Sequence, residues 1–83
     1  MPQYWISFRS LTHAQRAARS LERAGITAIV TRLPQGVSPK GCGYALIVRR
    51  RIHDALRLLA EGGIQSGMVF EKTEHGEFRE VKL

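Results

Sequence analysis

The segment Pro34-Gln35-Gly36-Val37-Ser38-Pro39-Lys40-Gly41-Cys42-Gly43 holds two prolines and three glycines, a composition that neither a helix nor a strand sustains. It marks a long loop and divides the chain into two stretches of similar content. Irregular loops of this length in small domains are mostly functional or disordered. The fold must therefore be assembled from regular elements on either side of it.

Before the loop, Tyr4-Trp5-Ile6-Ser7-Phe8 is aromatic and β-branched and predicts a first strand, with Tyr4, Ile6 and Phe8 on one face. Thr12, followed three residues later by Gln15, has the pattern of a capping box and predicts a helix start. Leu11, Ala14, Ala17, Ala18 and Leu21 then recur at helical spacing, while Arg16, Arg19 and Arg23 point away. Gly25 is the expected stop. Ile26 to Leu33 alternates as a second strand.

After the loop, Tyr44 to Val48 is an almost continuous apolar strand. Ile52, Ala55, Leu56 and Leu59 define a second amphipathic helix, closed by Gly62-Gly63. Met68 to Glu71 is a fourth strand. Glu74-His75-Gly76-Glu77 is a turn, and Phe78 to Val81 offers a fifth strand hairpinned onto the fourth.

The order β-α-β-β-α-β is the split βαβ arrangement. The expected fold is α+β and ferredoxin-like: a four-stranded antiparallel sheet with two helices on one face and an extra C-terminal strand. Residues 1–71 form the expected domain, and 72–83 a tail or added strand. Trp5 points opposite to Ile6, and is expected on the uncovered face of the sheet as a surface for a partner or a second copy.

An 83-residue chain has room for one such domain. It buries only about 60% of its unfolded surface, which makes a homodimer a natural source of extra stability. No apolar run approaches a membrane span, and Met1-Pro2-Gln3-Tyr4 lacks a signal-peptide pattern. A single cysteine excludes an internal disulfide and suits a reducing cytoplasm. One Cys and three scattered His show no metal-ligand spacing, and nothing indicates a cofactor. The net charge of +6 is uneven: residues 1–50 hold eight Lys/Arg against the single acid Glu22, whereas residues 51–83 hold five against six acids. That excess admits an acidic protein, an anion or RNA as partner. Arg49-Arg50-Arg51 reads most simply as a solvated turn before the second helix, at the end opposite the cysteine.

Cys42 is the residue that carries chemistry. In the expected topology the first and second strands end at the same edge of the sheet, which brings the loop beside the start of the first helix. Thr12 and His13 lie there, with Arg9 and Arg32 at the strand ends and Lys40 in the loop. A helix N-terminus and cations both favour thiolate over thiol, and thiolate is the nucleophile. Gly41 and Gly43 leave room around the sulfur and free backbone N–H groups to face an anion. The competing reading is a buried, inert cysteine. His53 and His75 read as surface residues.

Phe8-Arg9-Ser10, Thr12-His13-Ala14, Pro34, Ser38 and Cys42-Gly43 leading into Ala45-Leu46 resemble the selenium/sulfur carrier-like proteins, a family of small bacterial proteins. The resemblance covers roughly residues 4–71. It implies a carrier rather than an enzyme with its own turnover: Cys42 would hold sulfur or selenium as a persulfide or selenosulfide and pass it from a donor to an acceptor protein. In the family a pair of small hydroxyl residues closely precedes the cysteine, whereas here Ser38 is followed by Pro39-Lys40-Gly41. Two other functions compete on the residues alone. One is a basic RNA-binding or ribosome-associated module, against which the missing glycine–aromatic signature on strand 3 argues. The other is a non-catalytic regulatory or oligomerisation domain.

Overall fold

Strand alternation and helical periodicity resolve, in the computed structural model, into seven elements across the described residues, 3–39 and 43–83. They are β1 (Gln3–Phe8), α1 (Leu11–Arg23), β2 (Ile29–Arg32), β3 (Tyr44–Val48), α2 (Ile52–Glu61), β4 (Val69–Lys72) and β5 (Phe78–Val81). The strands form one antiparallel sheet in the order β2-β3-β1-β4-β5, a ferredoxin-like core extended by a C-terminal strand. β1 lies at the centre, where Trp5 to Phe8 are buried on both faces.

The two faces of β1 feed two separate clusters. Ile6 and Phe8 join Leu46 and Val48 of β3 beneath the helices, against Ala14, Ala17, Ala18 and Leu21 of α1 and Ile52, Ala55 and Leu59 of α2. The three alanines let α1 approach the sheet closely, and the fully buried Leu21, Leu46 and Leu59 contribute about 1.5–3 kcal/mol each.

Trp5 belongs to the second cluster, on the face away from the helices. It is not the exposed partner surface its alternation suggested: only 7% of it is accessible, and it packs with Leu33, Ala45 and Phe70. Val37 from the loop, Met68 and Phe78 complete the cover. Phe78 meets the indole edge-on at 4.9 Å between ring centroids, Gln3 accepts the indole N–H at 2.8 Å, and the Lys72 ammonium lies 5.4 Å from the ring centroid. The added strand and the loop thus build a small core of their own.

Both helices stop in the same way. Gly25 (φ +80°) donates its N–H to the Glu22 carbonyl, and Ile26 donates to that of Leu21. Gly63 (φ +70°) and Ile64 repeat the pair with Ala60 and Leu59. This is the Schellman motif, in which a left-handed residue reverses the chain and satisfies terminal carbonyls. Its use of Ile26 explains why β2 begins only at Ile29 rather than at Ile26, as the alternation predicts.

β4 likewise starts one residue later than expected. Met68 donates its N–H to Ser7 Oγ at 2.8 Å and accepts from the Ser7 N–H at 2.9 Å. Gly67 donates to the Ser7 carbonyl at 2.8 Å. Ser7 is completely buried, so these bonds satisfy a polar side chain that water cannot reach. A Cβ at Gly67 would collide with Ser7 Oγ.

Candidate functional site

The antiparallel register fixes which segments meet at the end of the sheet. Phe8 pairs with Tyr44, and Tyr44 pairs on its other side with Arg32. β1 and β2 therefore both end beside the start of β3. One step further, the Leu33 N–H donates to the Gly43 carbonyl at 3.0 Å, which closes the neck of the loop. The same step along β1 reaches Arg9 and then Ser10, where α1 begins.

From this neck the loop first folds back over the sheet. Leu33 is buried and Val37 packs with it in the Trp5 cluster. The Val37 N–H donates to the Pro34 carbonyl at 3.2 Å across a turn whose third residue, Gly36, has φ +88°. Only glycine adopts that conformation without strain. The sequence composition thus identified a loop correctly, but part of it is an ordered cover for the sheet.

The start of α1 differs from the sequence expectation. The N-cap is Ser10, with extended backbone (φ −137°, ψ 159°), and not Thr12. Ser10 Oγ accepts the His13 backbone N–H at 3.2 Å and lies 2.7 Å from His13 Nδ1. The hydroxyl can donate to Nδ1 or accept from Nδ1–H, and which it does sets the ring tautomer. Ser10 thereby caps the helix and orients the imidazole together. Thr12 lies within the first turn of α1 and is exposed. The signal for Ser10 was present as a hydroxyl residue immediately before Leu11, the first periodic position.

The cations named from sequence have distinct settings. Arg9 and Arg32 are both exposed. The Arg32 guanidinium carbon lies 5.7 Å from the centroid of the half-buried Tyr44 ring, within cation–π range. Tyr44 was read only as a strand residue. Gly43 is exposed, and a Cβ there would meet nothing within 4 Å, so packing does not demand a glycine at that position. Lys40, Gly41 and Cys42 lie outside the described residues. Ser10, His13, Arg32 and Tyr44 therefore constitute the described side-chain framework at this end, with Arg9 between the end of β1 and the cap.

Among the described residues, no group of three or more His, Cys, Asp or Glu is placed to hold a metal ion. No helix among them is long and apolar enough to cross a membrane. A family model described as "Putative Se/S carrier protein-like" matches residues 3–71, from the first residue of β1 into β4. No curated protein and no solved structure matches the chain.

Proposed function

The chain belongs to the Se/S carrier protein-like family, and on that premise we propose that Cys42 carries sulfur or selenium between a donor and an acceptor protein. The observation that supports this most directly is the convergence at the loop neck. Gly43, which follows Cys42 in the sequence, is bonded to Leu33 beside the end of β1, two residues before the Ser10 cap of α1. The α1 N-terminus and the exposed Arg9 and Arg32 supply positive potential to that end of the sheet. Such an environment favours thiolate at neutral pH.

The carrier step is an exchange without net oxidation. The Cys42 thiolate attacks the outer sulfur of a donor persulfide. A new S–S bond forms to Cys42, the donor S–S bond breaks, and the donor leaves as thiolate. An acceptor nucleophile then attacks the same outer sulfur and releases the Cys42 thiolate. The selenium case replaces the outer sulfur by selenium, with the same electron count. His13 acts in this reading as a donor to the anionic chalcogen, alongside Arg9, Arg32 and Lys40.

The test is intact mass after incubation with a cysteine desulfurase and cysteine. Wild type is expected to gain sulfur, and Cys42→Ser to gain none. A wild-type protein that stays unloaded and whose thiol alkylates slowly near neutral pH overturns the proposal.

A further inference from the structure

Much of the charge excess of the chain is carried by arginines that line two clefts. The first, about 350 Å³, lies between α1 and the α2–β4 connection and is lined by Arg16, Arg19, Ser20 and Arg23, with Gly62 and Ile64. The second, about 440 Å³, lies between the α1–β2 connection and the β3–α2 turn, with Arg49, Arg50 and Arg51 on its wall. Arg23 ends α1 and Gly25, two positions on, lines the second cleft, so the α1–β2 connection links the two arginine groups.

Five of these six arginines have no carboxylate partner. Among the described residues the ion pairs of arginine belong to Arg51, Arg57 and Arg79, and Arg16, Arg19, Arg23, Arg49 and Arg50 form none. All five are exposed. Glu22 is the only acid in residues 1–50, so little neutralises the surface locally. Arg16, Arg19 and Arg23 share one side of α1 and extend over about 10 Å of its axis, at 1.5 Å per residue. A duplex presents about one backbone charge per 1.7 Å, or about six over that length.

We propose that this arginine surface binds the sugar-phosphate backbone of a nucleic-acid duplex, independently of base sequence. Arginine forks suit phosphate oxygens, and arginine supplies ten of the chain's thirteen basic residues. Neither cleft is lined by an aromatic side chain, which leaves no platform for stacking unpaired bases and directs recognition to the backbone. An acidic protein would require an apolar contact core, and on this surface Ile29 is the one exposed large hydrophobic residue among the described residues.

The probe is a mixed-sequence 20-bp RNA duplex, with a DNA duplex of the same sequence as a second arm, followed by fluorescence anisotropy from about 50 to 200 mM salt. Wild type binds with steep salt dependence. Arg19→Gln/Arg23→Gln and Arg49→Gln/Arg50→Gln each weaken binding about tenfold or more and flatten the log–log salt slope by about two phosphate contacts. The charge-matched control Arg57→Gln/Arg79→Gln changes affinity less than about twofold, since neither arginine lines a cleft and both are already paired with carboxylates. Cys42→Ser binds as wild type, which separates this proposal from the carrier reading. Equal loss in the control, equal competition by polyglutamate, or no binding to either duplex at low salt overturns it; the two duplex arms decide between RNA and DNA as the source of the phosphates.

Discussion

Ser10 Oγ contacts both the backbone N–H and Nδ1 of His13, so one hydroxyl terminates β1's exit, caps α1 and sets the imidazole. Ser10→Ala is expected to cost about 1 kcal/mol in stability by chemical denaturation, as for other lost N-caps. It should also release the tautomer. Nitrogen chemical shifts of His13 should report one dominant tautomer in wild type and a mixture in the variant. An unchanged tautomer would mean the hydroxyl does not orient the ring.

Gly67 is pressed against Ser7, with no space for a methyl group. Gly67→Ala is expected to destabilise by about 1–3 kcal/mol, the usual range for overpacking. Ser7→Ala should cost a similar amount for a different reason, because it leaves the Met68 N–H without its acceptor. The double variant is expected to cost less than the sum, since removing the hydroxyl makes room for the methyl. Additive losses would show that the two residues do not contact in solution.

The cover over Trp5 is local and removable. Phe78→Ala deletes the edge-on ring and opens the indole to solvent. A red shift in tryptophan emission is expected, together with a loss of about 0.5–1.5 kcal/mol for the aromatic pair beyond the area it buries. Trp5 is the only tryptophan, so the emission is unambiguous. Emission at the wild-type wavelength would show that β5 does not shield the ring.

Asp54 accepts hydrogen bonds from Arg51 and Arg57, which hold its carboxyl below the usual carboxylate range. A carboxylate whose pKa falls on folding stabilises the protein above its unfolded pKa and loses that contribution as pH drops through the folded value. Wild type should therefore lose stability relative to Asp54→Asn at acid pH, and the difference between them should level off above about pH 5. The group is exposed, so the effect is small. A side-chain NMR titration of Asp54 at or above the ordinary value contradicts the pairing.

What the sequence disclosed was set by how local the cause is. Ile6 and Phe8, the alanine stripe of α1, and the glycine stops at Gly25 and Gly63 follow from periodicity and backbone freedom, and they fall where those rules put them. The fifth strand was also readable from the turn at Gly76. Trp5 was misjudged because its cover comes from Val37 and Phe78, neither of which is near it in sequence. Ser10 and Thr12 both satisfy local capping rules; the exit of the chain from β1 selects Ser10. The Arg32–Tyr44 contact required the strand register, which periodicity alone leaves open.

The hydrogen bond from Leu33 to Gly43 has a consequence for how such a chain can diversify. It fastens the two ends of the loop to each other at the sheet margin, so the segment between them hangs from a closed ring rather than from two independent strand ends. Doubling the length of such a segment costs only about 0.6 kcal/mol in closure entropy. Substitutions in that segment can therefore accumulate while β2 and β3 keep their register. Selection can act on this loop almost independently of the scaffold that holds it.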